Sequence, residues 1–201
     1  MVCAGLIALL GILFAHQDQP GRLDASVDNW IQSGLGGHPG ALSVLAGLGG
    51  PLPVTVVTAA LVLACLTTRR ARGALLAVIA VPAAAGMTEF VIKPLVDRTR
   101  YDTLSFPSGH TTGISAVATV TVVLLIGPLR PPLPTMLRVP LACLGAMLAE
   151  AVAISLVAVG VHYFTDTVAG SAVGVSVVLV TALILDRLAG RPQAPADGGE
   201  P

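Results

Sequence analysis

The sequence has few charged residues, and this shortage limits the class of protein. Only 11% of its 201 residues are charged, whereas soluble domains carry roughly 25%. The mean hydropathy is +0.86. Several uncharged runs reach the roughly 20 residues that a membrane-spanning helix needs. These runs argue against the alternative, an unusually apolar soluble α/β protein, and predict an all-α, polytopic membrane helix bundle.

Cysteines are also scarce. Cys3, Cys65 and Cys143 lie inside apolar runs, without CxxC or Cys/His spacing. We therefore expect neither a disulfide framework nor a cysteine-based metal site, and we interpret the three as small packing residues. The formal net charge is zero and says nothing about a partner. We predict no nucleic-acid partner.

Six apolar runs predict about six membrane spans. The first is short, because about 15 residues with a rise of 1.5 Å cover only some 22 Å of a roughly 30 Å hydrocarbon core. Either this helix is short or upstream residues are missing. A signal peptide is the alternative, although no basic segment precedes the run and no clear cleavage site follows it. The runs are residues 2–15, 41–67, 73–93, 109–127, 137–160 and 167–188.

Two segments lie outside the spans. Leu23, Val27 and Trp30 recur at helical spacing, which predicts a short helix in the membrane interface with Trp30 as its anchor. A solvated loop is the alternative. We predict one domain over residues 1–190, with a motif-bearing core at about 85–175. Residues 191–201, rich in Pro, Gly and Ala, are predicted to be a disordered cytoplasmic tail.

The arginines predict the orientation in the membrane. By the positive-inside rule, the side that holds most of them is cytoplasmic. Lys93, Arg98 and Arg100, together with Arg22, then form an exception on the outer side. We predict a multi-pass protein of the cell membrane whose active site faces outward. The arginines assigned to the cytoplasmic side are Arg69, Arg70, Arg72, Arg130, Arg138, Arg187 and Arg191.

The segment Pro107–His110 reads Pro-Ser-Gly-His and opens the fourth span. Ser108 is a good N-cap, and Gly109 allows a ligand to approach the backbone. The free amides of the first helical turn favour an anion, and His110 would lie beside it. An ordinary capped helix start is the alternative.

Three cations precede this turn. Lys93, Arg98 and Arg100 would supply charge-assisted hydrogen bonds to one anion, as phosphoryl transfer requires. A basic membrane rim that binds lipid headgroups without specificity is the alternative. Glu89 lies four residues before Lys93 and would pair with it on the same helix face.

A second candidate half-site follows the fifth span. His162 and Asp166 are four residues apart, so on a helical turn the carboxylate would accept a hydrogen bond from the imidazole and leave the other ring nitrogen free as a nucleophile or base. A metal-binding pair is the alternative, which the nearby cations disfavour. Glu150 lies inside a span and is a functional candidate, since a carboxylate there is costly unless paired or protonated.

The chain resembles the type 2 phosphatidic acid phosphatases, membrane lipid phosphatases that share their site with vanadium haloperoxidases. Three family motifs occur in order: Lys, six residues, then Arg-Pro; Pro-Ser-Gly-His; and Ser-Arg, five residues, His, three residues, Asp. The resemblance implies that Lys93, Arg100, Ser108 and Gly109 bind phosphate. It also implies that His110 protonates the leaving alcohol, and that no metal or cofactor is needed. His162 matches the nucleophile and Asp166 the carboxylate that orients it.

Two residues depart from the motifs. Tyr101 follows Arg100 where the family has Pro, and Leu156 stands where the third motif has Arg. Losing one transition-state donor costs about 10²- to 10³-fold in rate, and Arg98 is the expected substitute. If Leu156 occupies an emptied donor position, Leu156→Arg should raise turnover.

We therefore expect a lipid phosphatase. Its substrate would be a phosphomonoester or pyrophosphate of a lipid, of the phosphatidic acid or polyprenyl pyrophosphate class, and the reaction would proceed through a phosphohistidine. Two alternatives remain open: a noncatalytic lipid-phosphate binder, suggested by Leu156, and a transporter, suggested by Glu89 and Glu150. Membrane lipids are the surrounding partners, and the sequence predicts no particular oligomeric state.

Overall fold

The computed structural model describes residues 2–127 and 134–190, and these residues are almost entirely helical. Two short antiparallel strands pair Thr99 with Leu104. The predicted tail at 191–201 and Arg130 lie outside the described residues. In chain order the elements are α1 (Val2–Phe14), α2 (Arg22–Leu35), α3 (Pro39–Gly47), α4 (Pro51–Thr67), α5 (Ala71–Gly86), a π-helical segment (Met87–Ile92), α6 (Lys93–Val96), β1 (Thr99–Arg100), β2 (Thr103–Leu104), α7 (Gly109–Ile126), α8 (Thr135–Ala158) and α9 (Phe164–Ala189).

The predicted all-α membrane bundle is confirmed. Four helical stretches in the described residues are long and apolar enough to cross a membrane, and α3 and α4 together provide a fifth if the bent pair is counted as one span. α1 is a shorter apolar helix of 13 residues and covers most of the first predicted run, 2–15. The four continuous stretches are Ala71–Val96, Gly109–Ile126, Thr135–Ala158 and Phe164–Ala189.

The second predicted span, 41–67, is bent rather than straight. α3 and α4 meet at 48°, because Gly49 and Gly50 interrupt the helix and Pro51, which lacks an amide hydrogen, suits the start of α4. A Cβ on Gly49 would lie 3.1 Å from the Cβ of His110. The break therefore brings backbone directly against the start of α7.

α7 and α9 form the closest helix contact near this end of the bundle. Gly170 and Gly174 face α7, and a Cβ on either would lie 2.6 Å from a carbonyl oxygen, that of Ser108 or Thr112 respectively. Two glycines four residues apart are a common device for close approach of membrane helices. This contact sets the spacing between the residues that begin α7 and those that begin α9.

The arginines of the second connection lie at the opposite end of the bundle. Arg70 donates a hydrogen bond of 2.9 Å from Nη2 to the carbonyl oxygen of Leu124, near the end of α7. A cavity at this end is lined by Arg69, Arg72 and Asp186. Lys93 and His110 therefore lie at one end of the bundle and these arginines at the other, which is the arrangement that the orientation argument requires.

Gly170→Ala tests the α7–α9 contact. The added methyl group would press on the Ser108 carbonyl oxygen, and overpacking of this kind costs about 1–3 kcal/mol, so we expect a lower melting temperature in detergent. Gly145→Ala on α8 is the matched control, because a Cβ there meets nothing within 4 Å. Equal melting temperatures for the two variants would contradict the role assigned to Gly170.

Candidate active site

A cavity of about 530 Å³ opens where α5, the π-helical segment and α7 meet the loop before α9. Its lining combines apolar side chains with groups that can bind or transfer charge. The polar side of the lining contains Glu89, Lys93, Gly109, His110 and His162. Three of the sequence motifs therefore contribute to one site, although they are far apart in the chain.

Two histidines face each other across this cavity. His110 is the second residue of α7, and His162 lies in the loop before α9 with only 7% of its surface exposed. The ring centroids are 6.4 Å apart and the rings are inclined by 57°. The rings are thus too far apart for direct contact and close enough for both to reach one small ligand.

Asp166 lies behind His162, in the first turn of α9. Its Oδ2 is 3.7 Å from His162 Nδ1, which is longer than a hydrogen bond, so the predicted bond is not formed in this state. Oδ2 instead accepts a bond of 3.2 Å from the Tyr163 amide. Asp166 is fully buried, and its Oδ2 lies within ion-pair distance of His162 Nδ1.

The Pro-Ser-Gly-His turn is built as the sequence predicts. The Ser108 Oγ caps α7 by accepting a bond of 3.3 Å from the Thr111 amide. The Ser108 amide donates to the carbonyl oxygen of Asp166 at 2.9 Å, which joins the starts of α7 and α9. Ser108 is fully buried. Gly109, in contrast, lines the cavity, and a Cβ there would require the Glu89 carboxylate, which lies against it, to move.

Among the described residues, Lys93 is the cation that lines the cavity. Its Nζ donates to both carboxylate oxygens of Glu89, at 2.8 Å and 2.9 Å, so the predicted i,i+4 pair is formed. Lys93 is mostly covered, with 14% of the side chain exposed, whereas 44% of the Glu89 side chain is exposed. The ammonium group is therefore held at the cavity wall by a partner that remains accessible.

Arg98 occupies a different position from the one predicted. It is fully buried and donates to Asp166 Oδ1 at 2.7 Å and to Asp24 Oδ2. Its guanidinium group lies between the rings of Phe14 and Tyr163, 4.2 Å and 4.4 Å from their centroids. A guanidinium group committed to two carboxylates away from the cavity lining does not fit direct phosphate binding. It fits the positioning of Asp166.

Arg100 packs against other side chains, as Arg98 does, but one of its nitrogens has no hydrogen-bond partner among the described residues. Its guanidinium group stacks 4.1 Å from the centroid of the Tyr163 ring, and its Nη1 is 3.7 Å from Asp28 Oδ2. Nη1 is buried and has no hydrogen-bond partner among the described residues. The other terminal nitrogen, Nη2, would lie 3.8 Å from a Cβ on Gly160, so Arg100 sits beside the loop that carries His162.

The acidic face of α2 was not predicted to reach the site. Asp24 Oδ1 accepts from the Thr165 amide at 2.9 Å, and Asp28 Oδ1 accepts from the Phe164 amide at 3.0 Å. These are the first amides of α9, which have no partner inside the helix. The available signal was the pair of aspartates four residues apart on the predicted interfacial helix. That α2 is helical is confirmed, and Trp30 is 76% exposed, as an interfacial anchor requires.

Burial raises the pKa of Asp28 to about 6. The neighbouring carboxylates of Asp24 and Asp166 act in the same direction, while the Phe164 amide and Arg100 favour the charged form. An ordinary aspartate has a pKa of about 3.9. Asp28 therefore takes up a proton at a higher pH than an ordinary aspartate does.

Leu156 is part of a packed apolar cluster. Only 2% of its surface is exposed, and Ala46, Ile114 and Val152 belong to the same cluster. This position is therefore filled by α3 and α7 side chains and is not an open gap in the cavity wall. Glu150, on the same helix, lines a separate small cavity with Ile154 and Ser171.

Comparison with known proteins agrees with the motifs. A family model described as the PAP2 superfamily matches residues 74–189. The chain belongs to the PAP2 superfamily. No curated protein sequence matches this PAP2 chain significantly. The crystal structure of a transmembrane PAP2-type phosphatidylglycerolphosphate phosphatase from Bacillus subtilis is similar in fold, with a TM-score of 0.72, 18% identity, and coverage of 95% of this chain and 98% of that one.

Asp28→Asn tests the buried acidic group of this PAP2 protein. Because folding raises the pKa of Asp28, the folded state holds its proton more tightly, and the wild type should lose stability as the pH rises through the window from about 4 to about 6. The stability lost is at most about 3 kcal/mol, because folding raises the pKa of Asp28 by about two units. Asp28→Asn should lack this loss. Melting temperatures of both proteins at pH 4.5 and 7.5 give the comparison, and a wild-type minus variant difference that is the same at both pH values would contradict it.

Leu156→Arg now has a different expected outcome. Since Leu156 is packed in an apolar cluster, an arginine would bring an unpaired charge into it, so we expect loss of folded protein rather than higher turnover. The melting temperature in detergent measures this, with Leu156→Met as the control of similar volume. A stable Leu156→Arg protein with raised activity would show that the arginine reaches the cavity.

Proposed function

We propose that this PAP2 protein is a lipid phosphatase that hydrolyses a phosphomonoester or pyrophosphate of a lipid. The observation that carries the proposal is the placement of His110 and His162 on one cavity, with ring centroids 6.4 Å apart and Lys93 on the same wall. A phosphorus atom within about 3–3.5 Å of a nucleophile would have an oxygen within the roughly 2.6–3.2 Å reach of a general acid across the cavity.

The proposed reaction has two steps. In the first, Nε2 of His162, the ring nitrogen that does not face Asp166, attacks phosphorus. The bond from phosphorus to the leaving oxygen breaks, and His110 gives that oxygen its proton. In the second, His110 takes a proton from water, the water oxygen attacks phosphorus, and the bond to His162 breaks. Inorganic phosphate leaves, and both histidines return to their starting states.

Asp166 would support the first step electrostatically. His162 becomes positively charged when it carries the phosphoryl group, and Asp166 Oδ2 lies 3.7 Å from its other nitrogen. A nearby carboxylate stabilises a cationic imidazole. Arg98 holds Asp166 from behind at 2.7 Å, so its proposed role is to position Asp166.

Phosphate binding would depend on few groups. Lys93 and the start of α7 at Gly109 line the cavity, and Arg100, which lies beside the His162 loop, would reach the phosphate from outside the cavity lining. Ser108 would act through the cap that orients the first turn of α7. In this proposal the cations lie on the outer face of the cell membrane, because the arginines at the other end of the bundle mark the cytoplasmic side.

A noncatalytic lipid-phosphate binder is the second candidate. Leu156 favours it, because that residue leaves the third motif without its arginine. Such a binder would keep the cavity and the cations but would not turn over. The two functions differ in whether His162 is needed for phosphate release.

His162→Ala tests the proposed nucleophile. We expect phosphate release from phosphatidic acid, or from the lipid that proves the best substrate, to fall by at least about 10³-fold, because loss of the nucleophile removes the covalent route. Release is measured on purified protein in detergent. His38→Ala is the control, since His38 lies exposed between α2 and α3, away from the cavity. Wild-type protein that releases no phosphate from phosphatidic acid, polyprenyl pyrophosphate or phosphatidylglycerol phosphate would sink the enzymatic proposal.

A further inference from the structure

Glu89 places a carboxylate at the anion-binding end of the cavity. Both of its oxygens accept from Lys93 Nζ, at 2.8 Å and 2.9 Å, and the carboxylate lies against Gly109 at the start of α7. A substrate phosphate drawn to Lys93 and to that helix start must therefore come close to Glu89. A negative side chain beside a phosphate site raises the free energy of each further negative charge brought there.

Glu89 also lies where the cavity that contains the two histidines meets a second, apolar groove. The groove, of about 750 Å³, lies between α4 and α5 and extends toward Leu66 at the far end of α4. Four residues line both spaces, and three of them are apolar: Pro51, Val54 and Ala85. The fourth is Glu89, so the passage from the cavity to the groove has one wall that carries negative charge.

The leaving group of a lipid substrate would occupy this passage. Phosphorus must lie between His162 and His110, and the apolar chain requires an apolar surface, which the groove provides. The atoms that join the two then pass Glu89. In a phosphate monoester these atoms are an uncharged ester oxygen and carbon, whereas in a diphosphate they include a second, charged phosphate.

We propose that Glu89 is a specificity-determining residue that makes this site favour a lipid phosphate monoester over a lipid diphosphate. The inference rests on the proposed function. With the monoester, His162 takes the terminal phosphoryl group, the phosphorus–oxygen bond breaks, and His110 protonates an alcohol. With the diphosphate the departing group is a lipid monophosphate, and its charge lies beside the Glu89 carboxylate while Lys93 is shared with the phosphoryl group being transferred.

Two substrates with one chain make the test direct. Farnesyl monophosphate and farnesyl diphosphate differ only by the second phosphate, and initial rates of phosphate release give kcat/KM for each in detergent. We expect the wild type to favour the monophosphate, and Glu89→Gln, which keeps the shape and removes the charge, to reduce that preference by about tenfold. Glu150→Gln is the matched control, because Glu150 lines neither space and should leave the preference unchanged.

A binding measurement separates the two proposals. Inorganic phosphate and pyrophosphate are titrated by calorimetry into the wild type and into Glu89→Gln. Relative to the wild type, Glu89→Gln should gain more affinity for pyrophosphate than for phosphate. This gain without phosphate release from any lipid would refute the phosphatase and leave the role of Glu89 standing. An unchanged preference between the two substrates, or an equal or absent gain in affinity for the two anions, would overturn the role of Glu89. The phosphatase would still stand if phosphate is released from a lipid.

Discussion

The site depends on the buried contacts of Arg98. This guanidinium group binds Asp24 on α2 and Asp166 on α9, and it packs against Phe14 of α1. A buried charge costs several kcal/mol unless it is paired and hydrogen-bonded, so these three elements are held in one arrangement by a group that none of them can satisfy alone. His162 is four residues before Asp166, and the contacts of Arg98 therefore reach the cavity through the start of α9.

The buried charges around Arg98 are balanced in part by the amino-terminal end of α9. Three aspartates meet two arginines here, and the excess negative charge lies at the first amides of α9, where the helix dipole is positive. Asp24 and Asp28 bind those amides from outside the helix, which explains how carboxylates tolerate such burial. Burial raises the pKa of Asp28 to about 6, so the negative charge of this carboxylate is not fully balanced by its surroundings.

The sequence predicted what is local, and long-range pairing was missed. The long apolar helices, the N-cap of Ser108 and the pair of Glu89 with Lys93 follow from periodicity and short spacing, and the structure contains them, although only four or five of the six predicted spans are long enough to cross a membrane in the described residues. The partners of Arg98 lie 74 and 68 residues away in the chain, and such pairing leaves no periodic pattern to detect. The bend at Gly49 and Gly50 was missed because the hydropathy of residues 41–67 is continuous, although two adjacent glycines before a proline are a recognised interruption.

The position of Leu156 changes how the missing arginine is understood. The leucine is packed by α3 and α7, so the cavity is closed at this point and has no unfilled donor site. The donors that remain to the proposed phosphate site are Lys93, Arg100 and the start of α7. Losing one donor costs roughly 3–4 kcal/mol of transition-state stabilisation, whereas enzymes supply about 8–23 kcal/mol in total. The substitution is thus large enough to slow a phosphatase and too small, by itself, to abolish one.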